Sequence, residues 1–323
     1  MSTTDTILAD DGSVYRRLQG KAEGTSFHII YQDEKGTDLQ PDIIRLFDEF
    51  EQSLSVYIPH SLISRLNRNE PVEVDDFFHY VFTRAKEISK QTDGAFDISA
   101  EPLFRAWGFS SEEKNIPDEN QIKHLKQFIG MDKVRLEGKL LVKDFPETVL
   151  NVNAIAKGYS ADLLAALLAQ SGSPNYLVEI GGEIRVKGVN PGGEIWRIGV
   201  DHPSENRRIP GEKLQVILQI TDRGIATSGN YRQFYMEDRR KITHTIDPAT
   251  GYPTEHNLVS VTIIADDAIT ADAYATACMV GGIEKAVHWI DRNPTLEAVF
   301  ICREADEYRT YFTSALEGKV EQA

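Results

Sequence analysis

The sequence predicts an α+β fold with largely antiparallel sheets. Three observations carry this. In the first half, apolar residues recur at helical spacing, most clearly in "DIIRLFDEFEQSLSVY" (42–57), where Ile43, Leu46, Phe47, Phe50 and Leu54 share a face. The second half is a run of short alternating strands broken by turns, from "NYLVEIGGEIRVKGV" to "EYRTYFT". The strands come in hairpin-like pairs, mixed with helices, which argues against a doubly wound parallel sheet.

The elements follow in order. Residues 13–31 read as strands, with "TSFHIIY" the clearest. Helices follow over 42–57 and over 75–92, the latter closed by Gly94. A third helix spans 118–130, with Asp118 as N-cap and Gly130 as stop, and 133–144 is a hairpin turning at Glu137-Gly138. The segment 153–172 is a strong helix after an extended lead-in. Strands then dominate, interrupted by helices at 268–281 and 282–292. The charged stretch 110–120 reads as a surface excursion.

Of 323 residues, 41% are hydrophobic and 26% charged, the balance of a globular chain with a real core. We read one domain over 13–323, preceded by a polar, acidic tail over 1–12 that is disordered or stripped of a signal. The formal net charge of −15 excludes nucleic acid as the main ligand. An anionic substrate would need a separate source of positive charge, and a bound divalent cation supplies one. Cys278 and Cys302 each sit in apolar runs and read as buried thiols. No stretch reaches the roughly 18 apolar residues of a membrane helix.

Several fragments are able to carry chemistry. "TDGAFDIS" (92–99) is a turn in which Asp97 either caps backbone or faces a ligand. "NVNAIAKGYSAD" (151–162) is either an Asn-capped helix start with a solvated Lys157, or a phosphate site. The Gly pair of "VEIGGEIRVKG" marks a bulge or a close approach, and Ser-Gly-Asn in "IATSGNYRQFY" reads as a turn presenting N–H groups. In "HTIDPATGYP" (244–253), a rigid Pro/Gly turn follows His244, either an incidental surface residue or a held base. Asp272 and Thr276 of "TADAYAT" lie four apart, one turn along a helix face. They are either first-turn helix residues behind a Thr270 cap, or two oxygen ligands of a hard cation.

Taken in order, "GKAEGTSFHIIY", "SVYIPHSLISRLN", "TDGAFDIS…LFRAWGF", "NVNAIAKGYSAD", "VEIGGEIRVKG", "IATSGNYRQF", "HTIDPATGYP" and "TADAYATA" resemble the ApbE family of FAD:protein FMN transferases, over nearly the whole chain from about residue 20. The resemblance implies a T-fold-like α+β protein with an FAD cleft. It implies an enzyme that splits FAD, attaches FMN to a threonine hydroxyl of an acceptor protein and releases AMP. Tyr57, Ala95, Phe96, Asp97, Asn151, Lys157 and Ile246 would contact FAD. Asp272, Thr276 and the Ala154 carbonyl would hold Mg2+, and His244 would be the base. The acceptor would be a membrane redox subunit, which implies a periplasmic enzyme, lipid-anchored at full length. Two positions depart from the family: Glu23 stands where Met is usual, and Asn151 where Asp is common. The same residues would also serve an Mg2+-dependent FAD pyrophosphatase, with water as nucleophile, or a non-catalytic FAD binder.

Overall fold

The computed structural model describes residues 3–109, 116–203, 211–231, 233–237, 240–305 and 307–322. Its frame is a nine-stranded sheet whose strands follow one another in space in the order of the chain, each antiparallel to the next. Thr3–Leu8 forms one edge and Glu307–Phe312 the other. The seventh strand in this order, Leu258–Ala265, is buried at all eight positions, because both faces of the sheet are covered there. On one face Val261, Ile263 and Ala265 pack with helices; on the other Ile264 packs with Trp196–Asp201 and Leu214–Ile220, which form a small sheet with Val320–Gln322.

Seven helices, α1 Gln40–Leu54, α2 Leu62–Asn67, α3 Asp76–Gln91, α4 Glu101–Ala106, α5 Glu119–Leu125, α6 Ala156–Ser171 and α7 Ala268–Asp291, are found among the described residues. Most match the apolar periodicity. Asp118 caps α5 through a capping box with Gln121, although α5 ends at Leu125 and passes into a 3-10 turn before Gly130. The α7 segment is broken at Gly282, where φ is +74°, so the two helices read from the sequence are one element with a kink.

Four expectations are corrected. Thr3–Leu8 is not a disordered tail: it pairs with Val14–Ala22. Gly181 and Gly182, at φ +63° and +109°, form the tip of a hairpin between Tyr176–Ile180 and Glu183–Lys187 and not a bulge within one strand. Thr227-Ser228-Gly229 continue the strand Gly224–Gly229, and the Asn230 N–H is taken by the Val259 carbonyl. Thr270 is not the cap of α7; Asp267 is, accepting the Thr270 N–H at 3.0 Å. Of the predicted excursion at 110–120, residues 110–115 lie outside the described residues.

The start of α7 is pressed between two glycines. A Cβ on Gly158 would lie 2.3 Å from the Ala268 carbonyl oxygen, and one on Gly224 would lie 2.2 Å from the Ala268 nitrogen. These atoms are backbone and have nowhere to go. In an exposed helix Gly→Ala adds about 1 kcal/mol of stability. For Gly158→Ala the sign should reverse, with a loss of about 1–3 kcal/mol from overpacking. Urea denaturation decides it, and a stabilised variant would show that α6 and α7 are not in contact at this point.

Candidate active site

The first turn of α7 is satisfied from α6. The Asp162 carboxylate accepts the N–H groups of Ala268 and Ile269, both at 2.9 Å, in addition to the Asp267 cap. Burial pushes Asp162 up to about 7, against the pull of those two donors. The helix start is thereby fixed, and with it Asp272 one turn further on. Asp272 is 4% exposed, and its Oδ2 accepts the Gly158 N–H at 3.1 Å. All residues from 268 to 279 are buried except Thr276, so the α7 face opens at Thr276 alone in this stretch.

Around Asp272 lies a knot of charge. Lys157, in the first turn of α6, is ion-paired to Glu183 at the hairpin tip. Burial works against the Lys157 ammonium, but Glu183 and Asp272 outweigh it and hold its pKa above the ordinary value. Burial raises Asp272 and takes Glu183 to about 8, with Lys157 pulling both down. Glu183 Oε2 is buried without a hydrogen-bond partner. The knot therefore has room for one more positive or donating group.

Among the described residues no three His, Cys, Asp or Glu side chains form a metal cage. A cation here would rest on the mixed oxygen set read from the sequence: the Asp272 carboxylate, the Thr276 hydroxyl and the carbonyl of the partly exposed Ala154. Those are hard donors suited to Mg2+, and a buried carboxyl raised by its burial is one that a cation would stabilise. The residues fit the ion.

The segment 151–158 connects this knot to an open cleft of about 730 Å³, lined by Tyr57, Arg68, Glu101, Arg105, Phe109 and Asn151, among others. Tyr57 is 79% exposed, and its hydroxyl accepts from Asn153 Nδ2 at 2.9 Å. Asn151 is no helix cap: α6 begins at Ala156 without a side-chain cap. Its Oδ1 accepts the Asn153 N–H at 2.9 Å, its Nδ2 donates to Glu101 at 2.7 Å, and its own N–H donates to the Ile98 carbonyl at 2.7 Å. This last bond ties the cleft to the turn holding Ala95, Phe96 and Asp97. Asp97 is raised by burial and accepts from the Ser99 N–H and hydroxyl. Phe96 and Ile246 are each 1% exposed, so in this structure both residues are core.

His244 stands at the end of the hairpin of Phe234–Glu237 and Arg240–Thr243, with its ring 6.3 Å from the ring of the cleft residue Phe109. His244 Nδ1 is 3.1 Å from the Gln233 carbonyl oxygen. A carbonyl only accepts, so Nδ1 carries the proton and Nε2 keeps a lone pair. Burial lowers the His244 pKa, which favours that neutral form. The following turn is rigid, as read: Asp247 Oδ1 accepts the Ala249 N–H, and Gly251 N–H returns to the Asp247 carbonyl.

Sequence reasoning missed Glu183, Glu101, Arg105 and Phe109 as site residues. Glu183 sat unassigned beside the Gly pair, Arg105 and Phe109 lay unassigned within "LFRAWGF", and Glu101 carried no local signal.

A histidine held by a rigid turn, a buried acid–lysine knot and an open polar cleft, carried on separate elements, define an α+β enzyme site. The chain belongs to the ApbE family, whose sequence model matches residues 24–300. It is 35% identical over 307 residues to the FAD:protein FMN transferase of Vibrio cholerae, covering 92% of this chain and 90% of the relative. To the protein of that name from Escherichia coli K12 it is 34% identical over 308 residues, covering 92% and 86%. Among solved structures it matches the flavin transferase ApbE from Vibrio cholerae, with a TM-score of 0.84, 34% identity and coverage of 95% and 99%. It likewise matches the apo form of the Pseudomonas stutzeri flavinyl transferase ApbE, with a TM-score of 0.84, 29% identity and coverage of 98% and 97%.

The departure at Glu23 has a structural outcome. Its carboxyl turns to the Ser160 hydroxyl, and its N–H donates to Glu51 at 2.8 Å. Burial raises Glu23 to about 7, while Ser160 favours the charged form. A carboxyl whose folded pKa exceeds its unfolded value of about 4.3 adds stability at low pH and loses it as pH rises toward 7. Glu23→Gln removes that titration. Its melting temperature relative to wild type should therefore climb between about pH 4 and pH 8. A difference that stays constant over that range would show that Glu23 titrates as it does in the unfolded chain.

Proposed function

We propose that this chain transfers the FMN half of FAD to a threonine hydroxyl of an acceptor protein, releasing AMP, with His244 as the general base. The threonine Oγ forms a bond to the FMN phosphorus as the bond from that phosphorus to the AMP phosphate oxygen breaks. The hydroxyl proton passes to His244 Nε2. The activity follows from family membership and from relatives named for it. The observation that carries the base assignment is the Nδ1–H donation to Gln233, which leaves Nε2 as the only acceptor on a ring kept neutral by burial.

Tyr57 and Asn151 line the cleft that would receive FAD, the turn of Ala95, Phe96 and Asp97 is tied to it through the Asn151 bond to Ile98, and the family resemblance adds Ile246 as a further contact. Lys157 supplies fixed positive charge in an otherwise acidic chain. Asp272, Thr276 and the Ala154 carbonyl would hold Mg2+, which when bound neutralises charge on the pyrophosphate. The acceptor we envisage is a membrane redox subunit met outside the cytoplasmic membrane, with this enzyme lipid-anchored at full length. No helix among the described residues is long and apolar enough to cross a membrane.

His244→Ala should leave FAD affinity within about twofold and lower FMN transfer at least about 10²-fold, the usual scale for loss of a general base. Flavin fluorescence reads the first and mass spectrometry of a threonine-containing acceptor peptide the second. Since burial lowers the His244 pKa, the wild-type rate should be flat above about pH 6.5 and fall only below it. Wild-type transfer by the variant would remove His244 from the mechanism. AMP and free FMN in place of flavinylated peptide would mark a pyrophosphatase.

A further inference from the structure

We propose that Glu101 is a specificity-determining residue of the cleft, whose carboxylate recognises vicinal hydroxyls of the nucleotide, and that Asn151 is the residue that positions it. This rests on the reading of FAD as substrate. Glu101 is 8% exposed yet lines the cleft. A carboxylate that buried is normally paired. Its Oε2 accepts from Asn151 Nδ2 at 2.7 Å, while among the described residues Oε1 has only the Arg105 guanidinium at 3.8 Å, beyond hydrogen-bond length. Asn151 is fixed at both ends, because its Oδ1 already accepts the Asn153 N–H. Turning the amide over would set an oxygen against a carboxylate. At this wall of the cleft the amide is thus committed at both ends, while Glu101 Oε1 has no hydrogen bond among the described residues.

A carboxylate only accepts hydrogen bonds and repels phosphate. Its natural partner on a dinucleotide is a diol, the same match that acidic residues make with ribose in other nucleotide sites. FAD offers such hydroxyls on the ribose of its AMP half and on the ribityl chain of its FMN half. The Asn–Glu pair also explains why residue 151 carries an amide here. An Asp at 151 would put two carboxylates at hydrogen-bond distance, where both cannot ionise.

The test uses the full chain without Mg2+ or acceptor, so that binding is read without turnover, and then the complete reaction. Glu101→Gln should raise the FAD Kd about tenfold and leave kcat at saturating FAD within twofold. Competition by AMP or by FMN, whichever weakens in parallel, identifies the ribose or the ribityl chain as the source. Asn151→Asp should bind FAD less well as pH rises, and adding Glu101→Gln to it should remove that pH dependence with the repulsion and leave affinity at the level of Glu101→Gln alone. An unchanged Kd in Glu101→Gln, a fall in kcat with KM untouched, or a double variant that keeps the pH dependence of Asn151→Asp would overturn the proposal. A chain that binds FAD through Glu101 but transfers no FMN would overturn the transferase reading and leave this one standing.

Discussion

Everything at the site depends on two helices meeting at a glycine. Gly158 lets α6 approach the first turn of α7 until backbone touches backbone, and its N–H reaches Asp272. Gly224 does the same from the sheet side. With Asp162 taking up two first-turn N–H groups of α7 that have no partner within the helix, the helix has one position along its axis. Asp272 and Thr276 inherit that position. A looser crossing would still bury the apolar residues of α7, but it would not fix a carboxylate beside Lys157 to within a hydrogen bond.

The electrostatics follow from the same contact. Lys157 and Gly158 are neighbours in α6, so the crossing that brings Gly158 to Asp272 also brings an ammonium group there, and the hairpin tip adds Glu183. Removing these charges from water is costly, and the raised carboxyls record that cost. Such a knot is poor stability for its size. Its consequence is local: a chain of net charge −15 holds one ammonium in place among buried carboxyls, joined through residues 151–158 to the open cleft.

His244 is placed by different means. It closes a two-stranded hairpin by bonding twice to Gln233, through its backbone N–H and its ring. Trp107 and Phe109 then join this unit to the cleft: the Tyr235 hydroxyl donates to the Trp107 carbonyl, and Trp107 Nε1 donates to the Gly251 carbonyl. His244 and the acid–lysine knot thus sit on separate elements, each joined to the same cleft, so each can be tuned without moving the other.

The sequence by itself determined what local chemistry determines. Apolar spacing marked α1 and α3, Asp118 marked the start of α5, the Pro/Gly turn after His244 was rigid as read, and the four-residue spacing of Asp272 and Thr276 put them on one helix face. The ordered motifs also gave the family. Tertiary structure alone decided the rest, because those partners lie far apart in the chain: Asn151 and Glu101 by 50 residues, Gly158 and Asp272 by 114, Lys157 and Glu183 by 26. It showed that Gly181-Gly182 turns a hairpin, that the Phe96 and Ile246 side chains are core, and that Glu101 faces the cleft. Helical and strand periodicity report which face of an element is buried. They carry no information on what the opposite element brings to that face, and at this site the opposite element supplies half of each interaction.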